Sequence, residues 1–215
     1  MYIRDGIAIV LSWPATYCKQ AGSWYDPIMK VLKINKNNYY RAGHSAIILV
    51  DSIKCKCYYF DFGRYHAPAG YGRVRDEITD HDLLIKTMPQ FSSDGSKLNN
   101  IEEILQEIFY NEACHGNGRI YASVAPIHFK NAYRTARKIQ ASSPQLYGPF
   151  ILTGTNCSRF VRNVLLAGKP PLLAQFLLCI PVTLSPTPNG NVISCGKVIS
   201  FNENFESKNI RLTYL

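Results

Sequence analysis

Apolar positions in the stretch "TGTNCSRFVRNVLLAG" fall at Cys157, Phe160, Val161, Val164 and Leu165, the i, i+3, i+4, i+7, i+8 stripe of a helix with one face in a core. The preceding "YGPFILTGTN" reads as a short strand ending in a tight turn, where either Thr155 or Asn156 can cap the helix. A cysteine therefore stands at the mouth of an amphipathic helix. "GIAIVLSW" is a continuous apolar run, the pattern of a buried strand, and "YDPIMKVLKI" is a short helix with Asp26 as N-cap and Pro27 in its first turn. In "RAGHSAIILVDSIKCKCYYFDFGRY", His44, Ala46, Ile48 and Val50 share one face of a strand and Ser45, Ile47 and Leu49 the other. Both faces are largely apolar, so this strand is central. "DSIK" turns the chain and "CKCYYFDFG" returns with Cys57, Tyr59 and Asp61 on one face, until Gly63 breaks the strand.

Further along, "DLLIKTM" and "RIYASVAP" predict strands, while "NNIEEILQEIFYNEAC" and "HFKNAYRTARKIQASS" predict helices, the first capped by Asn99 or Asn100. Helices and strands mix without a regular βαβ alternation, which gives an α+β class. At 215 residues the chain fits one domain, 1–215, with residues 169–215 expected as a C-terminal extension packed on it. Within that extension, "KPPLLAQFLLCIPVTLSPTPNGNV" reads as a helix or arm against the core, with a lid facing membrane or substrate as the rarer case.

Charge narrows the partners. Lys and Arg outnumber Asp and Glu by 24 to 15, a net charge of +9, which favours anionic partners. The basic residues are dispersed and form no basic-aromatic platform, so specific nucleic-acid recognition is not predicted. The densest basic region, "GRYHAPAGYGRVRD", places Arg64, Arg73 and Arg75 in a Gly-rich loop able to bind an anionic substrate group, although a solvated loop is the commoner case. Seven scattered cysteines without paired CxxC spacing predict neither a zinc site nor a disulfide framework, and no cofactor is expected. The apolar run Ile7 to Leu11 is too short for a signal peptide or membrane span, so a cytoplasmic protein without a transmembrane segment is expected, signal-independent export remaining open.

A thiol at a helix N-terminus meets unpaired N–H groups and the positive end of the macrodipole, both of which favour the nucleophilic thiolate. Buried cysteines on helices are nonetheless usually packing. A nucleophile needs a base and a group that orients the base. Of five histidines, His81 and His115 lie in polar stretches, His66 follows the hairpin, His128 starts a helix, and only His44 opens a strand. A strand is the rigid mount a base requires, and Asp61 on the returning strand can reach its imidazole. The residues thus predict a catalytic triad of Cys157, His44 and Asp61. Trp13 and Tyr17 follow the first strand and can shape the site, with core packing the commoner role.

"GHSAIIL" followed much later by "TNCSRFV" resembles the circularly permuted NlpC-type papain-like hydrolases, a group that includes lecithin:retinol acyltransferase-like enzymes, in which the histidine strand precedes the cysteine helix. The resemblance implies an antiparallel sheet packed against the Cys-bearing helix, a nucleophile at Cys157, a base at His44 and a polar third residue, matched here by Asp61. The acyltransferase branch has a histidine at the third place and "NCEHF" around its cysteine. This chain has Asp61 and "NCSRF", which points away from retinoid or lipid acyl transfer. More generally the resemblance implies a peptide or amide substrate, such as a peptidoglycan stem peptide, while the expected lack of a signal peptide argues against an ordinary cell-wall role. The segments "YYFDFGRYHAPAGYGRVRDEITDHDL" and "SPTPNGNV" are also similar to an uncharacterised bacterial domain family common in Bacteroidetes. The expected function is a cysteine hydrolase of the amidase or peptidase type, acting through a thioester at Cys157. Alternatives are a non-catalytic module binding an anionic partner on the same fold, a lipid acyltransferase or thioesterase, and a redox thiol protein using Cys179 or Cys195.

Overall fold

The computed structural model of the protein describes residues 5–19, 26–31, 35–37, 39–40, 42–93, 95, 97–151, 153–181, 185–202 and 208–210. The strands in chain order are β1 (Gly6–Trp13), β2 (Cys18–Lys19), β3 (Asn35–Lys36), β4 (Tyr39–Tyr40), β5 (His44–Asp51), β6 (Lys56–Gly63), β7 (Tyr71–Arg75), β8 (Ile120–Ile127), β9 (Gln145–Leu146), β10 (Val198–Phe201) and β11 (Lys208–Ile210). The helices are α1 (Asp26–Val31), α2 (Ile101–Tyr110), α3 (Phe129–Ala141), α4 (Cys157–Ala167), α5 (Leu172–Cys179) and α6 (Pro188–Ser194). Tyr25 and residues 32–34 of the first predicted helix lie outside the described residues.

An eight-stranded sheet in the order β11-β10-β8-β1-β5-β6-β7-β9 organises the molecule, its named pairs antiparallel, beside a small sheet β2-β4-β3. β1 and β5 are buried along their whole length because the sheet is covered on both faces. On one face Ala8, Val10, Ile47, Leu49, Phe60 and Phe62 pack on Phe160, Val161, Val164 and Leu165 of α4 and on α3. On the other, Ile9, Leu11, Ala46, Ile48 and Tyr59 pack on Ile104, Leu105 and Ile108 of α2. The double apolar pattern read in "HSAIILVD" is this two-sided burial.

The stretch 169–215 contributes strands as well as helices, since β10 pairs with β8 and carries β11. α5 is anchored by Ala174 and Leu178 while Leu172, Leu173 and Phe176 are exposed.

Two predicted strands do not form among the described residues. "DLLIKTM" forms a 3₁₀ turn, His81–Leu83, and then an extended segment without a ladder. The backbone N–H groups of Lys86 and Thr87 donate to the carboxylate of Glu107 on α2, at 2.7 and 2.8 Å, where a strand would use a neighbour's carbonyls. The apolar alternation was real, since Leu83 and Ile85 are buried, but their partner is a helix. In "YGPFIL", Pro149 has no N–H to give, and the carbonyls of Pro149 and Ile151 accept from the Arg159 guanidinium, each at 2.6 Å. At α2, Asn100 occupies the N-cap position with its side chain turned to Met88 and Gln90, tying that segment to the helix.

Candidate active site

Strand register brings three polar side chains into one line. Asp61 of β6 faces Ala46 of β5 and Arg75 of β7, so His44, two residues before Ala46, is its diagonal neighbour on the same face. The His44 Nε2–Asp61 Oδ2 distance is 3.1 Å. Arg75 donates from Nε to Oδ1 at 3.0 Å and from Nη2 to Oδ2 at 2.6 Å, and the Tyr59 hydroxyl donates to Oδ2 at 3.2 Å. Asp61 is 0% exposed, Arg75 3% and His44 6%.

Cys157 arrives from the other side of the sheet. α4 packs on the opposite face, and its first residue comes up to His44 at the start of β5, close enough for imidazole and thiol to shift one another's protonation. With Nε2 engaged by Asp61, Nδ1 is the nitrogen left for the thiol. Of the two N-cap candidates the structure uses Asn156, whose Oδ1 accepts from the Arg159 N–H at 2.8 Å while Nδ2 donates to Ser185 Oγ at 2.8 Å. Arg159 in turn ties α4 to the loop before it, so the turn that presents Cys157 is fixed from both ends.

The electrostatics follow from these contacts. Burial disfavours a thiolate at Cys157, yet the hydrogen bond and charge of His44, the Ser158 hydroxyl and the Ser45 backbone N–H outweigh it and hold the thiol below its ordinary value. Burial likewise opposes the imidazolium at His44, but Asp61 and Cys157 raise its pKa to about 9. Asp61, despite burial, is held below the usual carboxylate range by His44 and Arg75. The other buried thiols behave oppositely: Cys57, Cys114 and Cys195 are each pushed up to about 12, chiefly by burial. Among these cysteines, Cys157 alone combines burial with a lowered pKa.

A cleft of about 660 Å³ opens in front of His44, walled by Tyr17, Arg64, Tyr65, Phe109, His115 and Tyr147 among others. Tyr65 stacks on His115 at 4.7 Å and meets His44 edge-on at 6.4 Å. Trp13, the direct cross-strand partner of His44, is buried and stacks on its ring at 5.7 Å. Gly116 passes over that indole: a Cβ there would lie 2.2 Å from Trp13, so only glycine lets the loop carrying His115 close down.

The structure thus brings Cys157, His44 and Asp61 together and separates the predicted arginine cluster. Arg73 is held by Asp80 through two bonds of 2.7 and 2.6 Å, and Arg75 points inward to Asp61; only Arg64 borders the cleft, donating to Cys18 Sγ at 3.2 Å. The anion loop expected of Arg64, Arg73 and Arg75 is therefore not formed as such, because strand pairing turns Arg75 to the buried face. No sequence pattern marks Tyr147 or Tyr65 as cleft walls, since neither lies in a regular element. Cys179 is exposed, and the described cysteines form no disulfide. Among the described residues no helix is long and apolar enough to cross a membrane, and no group of His, Cys, Asp or Glu is arranged to hold a metal ion.

The family described as type VI secretion system effector TseH-like matches residues 8–171. A crystal structure of the type VI secretion system effector TseH shares the fold, with a TM-score of 0.61 and 16% identity over 98% of this chain and 100% of that one. No curated protein matches the sequence significantly.

Proposed function

The chain belongs to the TseH-like family of type VI secretion system effectors, and we propose that it is a cysteine hydrolase acting on a peptide or amide bond, built on a permuted papain-like single domain and delivered by such a system. The observation that carries this reading is the buried line Cys157–His44–Asp61, in which a lowered thiol pKa and a raised imidazole pKa favour the ion pair. The order of the chain, histidine strand before cysteine helix, supports the permuted arrangement.

In the proposed mechanism the Cys157 thiolate attacks the substrate carbonyl, forming a C–S bond and a tetrahedral oxyanion. The Cys157 backbone N–H at the start of α4 donates to that oxyanion. Collapse breaks the C–N bond as the His44 imidazolium gives its proton to the leaving amine, and a thioester remains. His44 then takes a proton from water, hydroxide adds to the thioester carbonyl, and collapse releases the acid and the thiolate. Asp61 keeps the imidazole oriented throughout. The aromatic cleft walls receive the groups flanking the scissile bond.

Peptide and amide libraries incubated with the protein and with Cys157→Ala test this directly. Cleavage by the first alone, with an acyl mass on Cys157 after rapid acid quench, is the expected result. Cleavage by both, or none by either together with a Cys157 that alkylates like an ordinary thiol, would sink the reading.

A further inference from the structure

We propose that Arg75 is the positioning residue of this site, fixing the ionised Asp61 so that charges alternate from Arg75 through Asp61 and His44 to Cys157. The inference rests on the cysteine-hydrolase reading and deepens it. Arg75 and Asp61 are direct cross-strand partners, and the guanidinium engages both carboxylate oxygens, which removes the rotation a single bond would allow. The guanidinium is itself clamped, lying 3.5 Å from the centre of the Tyr65 ring. Tyr65 borders the cleft, so the wall facing substrate and the support of the orienting carboxylate are one packed unit.

Charge balance gives this contact a consequence at the sulfur. A buried carboxylate without a partner is costly, and His44 has to serve a second anion, the Cys157 thiolate. The other titratable groups around Asp61 stay uncharged near neutrality: burial pushes the Tyr59 and Tyr65 hydroxyls up and Cys114 up to about 12, while burial and Arg75 lower His115. Around Cys157 the neighbours are His44, the Ser158 hydroxyl, the Ser45 N–H and Tyr147, whose hydroxyl burial also pushes up. Arg75 is thus the second cation bonded to Asp61. With it, the four groups sum to zero. Without it, one imidazolium is shared between two buried anions, and the weaker acid, Cys157, keeps its proton to higher pH.

The test is the iodoacetamide labelling rate of the Cys157 peptide against pH, followed by mass spectrometry, in the protein and in Arg75→Gln, Arg75→Lys, Asp61→Asn and Asp61→Asn/Arg75→Gln, each with a thermal melt. The labelling midpoint of Arg75→Gln should rise by about one unit, making labelling roughly tenfold slower in mildly acidic buffer. Arg75→Lys, which keeps the charge and loses the paired geometry, should recover most of that. In the Asp61→Asn background, losing Arg75 should change nothing further. An Arg75→Gln protein that melts lower but labels with the parent's midpoint would reduce Arg75 to a structural ion pair and overturn the proposal. Where Arg75→Gln does not fold, the double variant decides, since it leaves neither charge unpaired: equal rates in Asp61→Asn with and without Arg75 support the proposal, and a difference above about threefold overturns it. An ordinary thiol in the parent protein is a separate outcome, one that removes the hydrolase reading itself.

Discussion

Trp13 and His44 face one another across β1 and β5, their rings 5.7 Å apart and tilted by 30°. The indole fills the space into which the imidazole would otherwise turn. Trp13→Ala should therefore cost about 3–5 kcal/mol of stability, as for other large buried aromatics, and should also slow Cys157 labelling because His44 is no longer held toward the sulfur. Trp13→Phe keeps a ring against the imidazole and should retain most of the labelling rate. Thermal melts beside labelling rates separate the two effects.

The pH dependence is set by the ion pair. Thiolate at Cys157 persists below the ordinary thiol value, and the imidazolium at His44 is lost at about 9. Cleavage should follow a bell, with its acid limb below that of a free cysteine and its alkaline limb near 9. Stability has matching signs. Asp61 is depressed in the folded state, so its contribution is complete above the unfolded carboxylate value and is lost as pH falls through the lower folded one. His44 is raised, so its contribution is complete below the unfolded value of about 6.5 and is lost as pH rises through about 9. Cys157, lowered in the folded state, contributes with the opposite sign, gaining stability as pH rises toward the free thiol value and so offsetting the loss at His44. Melting temperatures should therefore fall on the acid side through Asp61 and change little between about 6.5 and 9; a steep loss of stability over that range would show a neutral Cys157 beside a charged His44.

How much of this was legible depended on whether a pattern had one physical cause. The stripe at Cys157, Phe160, Val161, Val164 and Leu165 and the two-sided run in "HSAIILVD" each had one, burial against a packed neighbour, and both elements formed where they were read. "DLLIKTM" carried the same alternation with a different cause: Leu83 and Ile85 bury against α2, and a side-chain carboxylate supplies the backbone's partners. Arg64, Arg73 and Arg75 looked alike along the chain because nothing in sequence tells which strand neighbour each will face. The pairing of Asp61 with Arg75 is a register fact, available only once β6 and β7 are aligned.

Asp61→Asn removes the carboxylate that both His44 and Arg75 require. Without that charge the imidazolium loses its main support, so the alkaline limb of the bell should move down toward the unperturbed value of about 6.5, and turnover should fall by about 10²–10⁴-fold. Arg75, 3% exposed, is left as a buried charge without its anion, which costs about 3–5 kcal/mol where one partner of a buried pair is removed. Chemical denaturation and the pH profile of turnover check the two halves independently.

Asn156 offers the subtlest test, because it touches neither His44 nor the sulfur in the bonds that define it. Its Oδ1 satisfies the Arg159 N–H at the open end of α4, and its Nδ2 holds Ser185. Asn156→Ala should cost about 1 kcal/mol for the lost cap, while Asn156→Ser, which can cap the helix but cannot reach Ser185 in the same way, should recover most of it. If the first turn of α4 is what keeps the Cys157 N–H aimed at the developing oxyanion, the alanine variant should lose turnover with its labelling midpoint nearly unchanged, since the thiolate is held mainly by His44. Equal losses in labelling and turnover would show instead that the cap positions the sulfur rather than the oxyanion donor.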